Sequence, residues 1–304
     1  MTAGISRRRL LGAAWAGAAL TVLPGISRGQ QRQRIVVAGG ALTEIVVALG
    51  AADQLAGVDT TSLYPAAVVK PLPQLGYLRT LGAEGILSLA PTLIIASDQA
   101  GPPTTMAQLR ATGVPLLVVP ESYVEPAVPN KIRLVAEALG RETAGKALAA
   151  AVEADLQAVQ RMVAPLPRPR VLFVLSTSNG NILAGGQETA ADAMLRLAGA
   201  RNVITGYKNF KPLNAEAALA ADPDAILLPG HSFEALGGRE GIAKLPALAQ
   251  TAAGRAGRIH AMDTLYMLGL GPRIAHAARD LCELLHPGSA LPALPERAWH
   301  KAGA

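Results

Sequence analysis

The chain is predicted to fold as an α/β protein of two lobes joined by a single long helix. Three observations carry this. Short apolar runs alternate with helical patterns, a long helical stretch without proline interrupts them near the middle, and residues of the second half repeat those of the first at constant spacing. At 304 residues the chain is long for one simple core and comfortable for two lobes.

The alternation begins after Arg34. Ile35-Val36-Val37-Ala38 reads as a buried strand and residues 43–49 as the helix after it, while Leu93-Ile94-Ile95-Ala96 and Leu116-Leu117-Val118-Val119 read as further strands. Residues 130–162 contain no proline and two glycines among many Ala, Leu, Glu, Lys and Arg, which predicts one long helix ending before Pro165-Leu166-Pro167-Arg168-Pro169. Roughly 30 helical residues would span about 45 Å. Beyond the stop, residues 171–175 and 225–228 read as strands and residues 190–197 as a helix. The expected organisation is a signal peptide over residues 1–29, an N-terminal lobe over 34–127, a linking helix over 128–164, a C-terminal lobe over 168–290 and a tail over 291–304.

The repeat is specific. Leu81, Ala83, Glu84, Leu87, Pro91 and Ile94 recur as Leu213, Ala215, Glu216, Leu219, Pro223 and Ile226, each shifted by 132 positions, and Gly76-Tyr77 is echoed by Gly206-Tyr207. Any two β-α units share Leu, Ala and Pro at helix–strand junctions, but six matches at unchanged spacing exceed that. Each copy reads as a loop, a short helix starting near Ala83 or Ala215, a proline break and a buried strand. A duplicated lobe places a ligand in the cleft between the copies.

Arg7, Arg8 and Arg9 precede an apolar run over residues 10–23, followed by Pro24-Gly25 and the small residues Ser27 and Gly29, the layout of a cleavable signal peptide. Ser6-Arg7-Arg8-Arg9-Leu10-Leu11 also fits the twin-arginine pattern; an ordinary secretory signal with three arginines is the alternative. Removing residues 1–29 takes four arginines and no acid from the +6 chain, leaving 24 basic against 22 acidic residues without a charged run. Nucleic acid needs a dense basic face and is excluded as a partner. Cys282 is the sole cysteine, so there is no intrachain disulfide and no lipid-modified cysteine at the cleavage site.

Two enzyme motifs fail on context. Gly25-Ile26-Ser27-Arg28-Gly29 fits a nucleophile elbow but follows no strand, and Gly140-Arg141-Glu142-Thr143-Ala144-Gly145-Lys146 resembles a phosphate loop but has Ala147 in place of Ser or Thr and sits in the helical stretch. A bare zinc or manganese site would draw His and carboxylates from both lobes. His231, His260, His276, His286 and His300 all lie in the second half.

Over about residues 34–290 this layout resembles the substrate-binding proteins of bacterial ABC importers for metal chelates, in which one long helix joins two α/β lobes. Within that group, the stretch Gly76-Tyr77-Leu78-Arg79-Thr80-Leu81-Gly82-Ala83-Glu84-Gly85-Ile86-Leu87-Ser88-Leu89, and Gly101-Pro102-Pro103 after the next strand, resemble the periplasmic haem-binding branch. The resemblance implies Rossmann-like lobes in a class III periplasmic binding protein, haem as the transported ligand, no enzymatic activity and a periplasmic location. The implied partners are the transmembrane permease subunits of an ABC importer and an outer-membrane haem receptor system. The same architecture serves ferric siderophores and cobalamin, which stay as alternative ligands.

Carried over by position, the resemblance makes Tyr77 the haem-iron ligand and Arg79 the donor that supports its phenolate. The chemistry is sound: a phenolate is a suitable axial ligand for ferric haem, and a tyrosine of pKa about 10 needs a metal and a nearby cation to ionise at neutral pH. In an extended segment, residues i and i+2 share a side, which would set Arg79 beside Tyr77. Glu84 and Glu216 are implied to dock the transporter, one per lobe. Without the resemblance, Tyr77 reads as a loop tyrosine on a lobe edge, and both glutamates as first-turn residues interacting with a helix dipole. Some relatives supply a second iron ligand from the loop after the first strand of the second lobe. Here that stretch, Leu175-Ser176-Thr177-Ser178-Asn179-Gly180-Asn181, has no His, Met or Tyr. The expectation is therefore five-coordinate iron on Tyr77, with Tyr207 and Lys208 near the opposite haem face. Lys208 reads either as a propionate contact or as an ordinary surface lysine. A small opening motion is expected of the single linking helix.

Overall fold

Strand β1 (Ile35–Ala38) is buried at every position, as an unbroken apolar run requires of a strand covered on both faces. It pairs in parallel with β2 (Leu55–Val58) and with β3 (Leu93–Ser97), and β3 pairs in parallel with β4 (Leu116–Val119), giving the first lobe a sheet in the order β2-β1-β3-β4. A computed structural model of the chain describes residues 33–124, 126–178 and 181–301; the signal-peptide reading, with the serine motif inside it, lies outside them. The second lobe contains β5 (Arg170–Ser178), β6 (Asn181–Gly185), β7 (Arg201–Asn202), β8 (Phe210–Leu213), β9 (Ala225–Pro229) and β10 (Ile259–Met262). Its sheet runs β10-β9-β5-β6-β8, parallel through β5 and antiparallel beyond, with β7 beside β5. The stretch expected as a loop at residues 175–181 is thus largely strand: it belongs to β5 up to Ser178, and Asn181 opens β6.

Alternation along the strands builds the interior. Ile35, Val37, Leu93 and Ile95 of the first lobe and Val171, Phe173, Ala225 and Leu227 of the second belong to one core that crosses between the lobes. Their strand neighbours Val36 and Ile94 face one outer core, and Leu172 and Ile226 another. Leu148, Ala149, Val152 and Val159 of the helix Glu142–Val163 join the shared core. Close-packed interiors resist repacking, so a core common to both lobes favours a small opening.

The helix expected over residues 128–164 is two helices, Ala127–Ala138 and Glu142–Val163. Gly140, at φ 63, ends the first, and the Arg141 amide reaches back to the Ala136 carbonyl at 2.8 Å, a glycine-terminated helix end. The two helices then pack closely: a Cβ on Gly145 would stand 2.2 Å from that of Ala136. One helix still joins the lobes, but its 22 residues span about 33 Å rather than about 45 Å.

The internal repeat is structural. Helices Ala83–Ser88 and Ala215–Ala221 occupy the expected places, each followed by a buried parallel strand. In both copies the residue before the proline is left-handed: Ala90 at φ 45 and Asp222 at φ 34.

A buried ion pair ties the lobes beside the shared core. Glu44, on the helix Gly40–Ala48, accepts Arg273 Nε at 2.9 Å and Nη2 at 2.6 Å. The guanidinium lies 3.6 Å from the Tyr64 ring centre and 4.9 Å from that of Tyr266. Burial pushes the Glu44 carboxyl up, and Arg273 opposes the shift. Arg273→Met would leave this carboxyl buried without its partner, and stability is expected to fall by about 3–5 kcal/mol. A lowered urea midpoint would register the loss, and adding Glu44→Gln should restore part of it. The tail also returns to the body of the protein: Arg297 grips Asp155 of the connecting helix at 2.9 and 2.6 Å, and the Tyr64 hydroxyl donates to the His300 carbonyl at 2.7 Å.

Candidate ligand-binding cleft

A cleft of about 1050 Å³ lies between the lobes. Its wall is drawn from the carboxyl ends of parallel strands, where open α/β sheets bind ligands. Gly39 and Gly40 follow β1, Thr60 and Thr61 follow β2, and Gln99 follows β3. Glu121 and Tyr123 follow β4, and on the second lobe Gly230 and His231 follow β9. Leu42, Leu63, Phe210, Phe233 and Leu265 supply apolar surface.

The loop after β2 is held by Asp59, which is fully buried. Its Oδ1 accepts the Gly39 amide at 2.8 Å, and its Oδ2 accepts the Thr61 amide at 2.9 Å and hydroxyl at 2.6 Å. The Thr60 amide then donates to the Gly76 carbonyl at 3.0 Å. Gly76 adopts φ 89 with open space where a Cβ would point, so its backbone angle rather than crowding calls for glycine. This sets the direction of the next residue, Tyr77.

Tyr77 and Arg79 both line the cleft, but not through an extended segment. Tyr77 itself is extended (φ −74, ψ 138), and Leu78–Thr80 forms a 3₁₀ turn closed by the Thr80 amide on the Tyr77 carbonyl at 2.8 Å. Leu78 packs into the first lobe's outer core and anchors the turn. The Tyr77 side chain is left half exposed, and among the described residues no group hydrogen-bonds its hydroxyl. Arg79 Nη2 donates to Gln99 Oε1 at 2.5 Å rather than to the phenol.

Tyr207 and Lys208 are not among the cleft-lining residues. Tyr207 packs against the second lobe's outer core, its backbone pressed onto Gly186, and Lys208 Nζ pairs with exposed Glu188 at 2.6 Å. Phe210 reaches the cleft instead. Glu84 and Glu216 are exposed first-turn residues of the two repeated helices, the second capped by Asn214, which accepts the Ala217 amide at 2.8 Å.

Among the cleft residues that the sequence reading did not assign to the site are Gln99, Tyr123, Lys131 and His231. His231 was legible, since it follows the Pro229-Gly230 end of a buried strand. Both its ring nitrogens are engaged, Nδ1 with the Thr264 hydroxyl at 2.7 Å and Nε2 with the Ser232 hydroxyl at 3.1 Å. The Ser232 hydroxyl donates to the Leu175 carbonyl at 2.6 Å, so it accepts from Nε2 and leaves Nδ1 to accept from Thr264. No ring lone pair is then free for a metal in this arrangement. Lys131 is buried and paired with Glu121 at 2.8 Å, which neutralises its charge within the wall. Burial raises the Tyr123 phenol, with Glu121 and Asp98 adding to the shift and Arg79 and Gln99 opposing it.

Two lobes around a shared core, with loops converging on a large cleft between them, define a two-lobed solute-binding protein. The chain belongs to the periplasmic binding protein family, whose model matches residues 35–265. Among solved structures it is similar to the periplasmic haem-binding protein RhuT from Roseiflexus sp. RS-1 in apo form, with 44% identity and TM-score 0.81 over 84% of this chain and 98% of that one. It is similar to the periplasmic haem-binding protein BhuT in complex with two haems, with 44% identity and TM-score 0.79 over 83% and 97% of the two chains. The vitamin B12-binding protein of Photorhabdus laumondii is 24% identical over 83% of this chain and 88% of its own.

Proposed function

We propose that this protein captures haem in the cleft between its lobes and delivers it to an ABC-type importer of the inner membrane. The observation that carries the reading is Tyr77, whose phenol stands in the cleft without a hydrogen-bond partner among the described residues and two residues from the cation of Arg79. A phenolate is a suitable axial ligand for ferric haem. The apolar wall suits the macrocycle, and the cleft volume lies just above the roughly 300–1000 Å³ of small-molecule sites, as a large ligand requires. The 44% identity to two haem-binding proteins supports the same ligand. Because Lys131 is already paired with Glu121, Arg79 is the cation that the described lining residues leave to support the Tyr77 phenolate.

With His231 engaged at both nitrogens, the iron is five-coordinate on Tyr77. Glu84 and Glu216 meet the permease subunits, and an outer-membrane receptor supplies the haem. The N-terminal signal sends the chain to the periplasm, and its work is capture and release without a chemical step.

Titration of the purified mature protein with hemin tests the ligand. One hemin per chain and the absorption of high-spin ferric tyrosinate are expected, with no displacement by cyanocobalamin. Binding of cobalamin without a hemin signal would move the assignment to the vitamin B12-binding relatives.

A further inference from the structure

We propose that Gln99 is a positioning residue for the iron site: it holds the Arg79 guanidinium toward the Tyr77 phenolate without cancelling its charge. This rests on Tyr77 as the iron ligand. Gln99 lies 22 positions beyond Tyr77 in sequence, yet the backbone stitches their turns together. The Gly101 amide donates to the Leu78 carbonyl at 3.0 Å, and the Leu81 amide donates to the Gly101 carbonyl at 2.8 Å. Gln99 itself is fixed at the end of β3, its amide donating to the Ser97 hydroxyl at 3.1 Å, with the Ala100 amide on the Ser97 carbonyl at 2.9 Å. From that frame its side-chain oxygen takes one Arg79 N–H at 2.5 Å.

A guanidinium has five N–H donors, so one bond to Gln99 leaves four for the phenolate and other acceptors. An exposed arginine has many rotamers to lose, and a single fixed acceptor removes much of the wandering before ligand arrives. The neutrality of the acceptor matters as much as its place. Glutamate there would form an ion pair and withdraw the positive potential that stabilises an anionic ligand. The surrounding charges make this sharper. Glu121 is paired with Lys131 at 2.8 Å, and Asp98 accepts the Glu121 amide at 3.0 Å. Glu234, Asp263 and His231 stand on the opposite wall. Arg79 is thus the one cleft-lining cation, among the described residues, whose partner is neutral.

The test is the rate at which hemin leaves the full-length mature protein for excess apomyoglobin, together with the tyrosinate-to-iron charge-transfer band. Gln99→Leu should speed release about tenfold, the scale of a hydrogen bond to a charged group. Gln99→Glu should do so at least as strongly, although it keeps the size and the acceptor and so stands in if the leucine variant folds poorly. Both should move the band in the direction that Arg79→Leu moves it, and Gln99→Leu should add nothing in an Arg79→Leu background. Wild-type release from Gln99→Glu, or additive effects in the double variant, overturns the proposal while leaving Tyr77 as ligand. A band that persists in Tyr77→Phe overturns the ligand reading and this inference with it.

Discussion

Tyr77→Ala is expected to abolish the ferric tyrosinate absorption of the hemin-loaded protein and to weaken hemin binding by more than about a hundredfold, beyond the roughly 10–100-fold that loss of an outer-sphere partner costs. The size follows from the wall of the cleft. Among the described lining residues, Tyr123 has a phenol raised by burial and by Glu121 and Asp98, and His231 has both nitrogens engaged. Neither is ready to replace the lost ligand. Tyr77→Phe separates ligation from contact, because it keeps the ring against the macrocycle and removes only the oxygen. It should lose the band while retaining part of the affinity. Tyr207→Phe should leave the spectrum untouched, since that ring packs in the second lobe's outer core. Unaltered absorption in both Tyr77 variants would remove Tyr77 from the iron.

These contrasts also mark what could be read from the chain. Strands buried on both faces announce themselves as unbroken apolar runs: β1 stands where the sequence reading places it, and β3 runs one residue further, to Ser97. The repeat survives because each copy solves the same junction, down to a left-handed residue before the proline. The helix break at Gly140 was hidden. A single glycine among strong helix formers is compatible with a continuous helix, and only the close approach of Gly145 to Ala136 makes the turn pay. The antiparallel edge formed by β6 and β8 was also missed, which is why Tyr207 was expected at the cleft and Phe210 was not. Gln99 was invisible for another reason: its role depends on two turns joined by backbone bonds, and no local pattern encodes that pairing.

Charge reversal at both repeated helices, Glu84→Lys with Glu216→Lys, is expected to abolish haem uptake in cells while hemin affinity of the purified protein stays at the wild-type value. Both side chains are exposed and neither lines the cleft, so the ligand site has no direct contact with the change. The folding cost is small, because a first-turn carboxylate contributes only about 0.3–1 kcal/mol through its helix dipole. Docking is affected far more, since like charges brought together across an interface cost several kcal/mol. The duplicated placement makes the two sites a pair: each lobe presents the same helix turn, and two similar subunits are the natural complement to two similar lobes. Single reversals should therefore weaken uptake and the double reversal should end it. Normal uptake by the double variant would return both glutamates to the plain role of first-turn helix residues. Lost uptake accompanied by weakened hemin binding would instead trace the defect to the cleft.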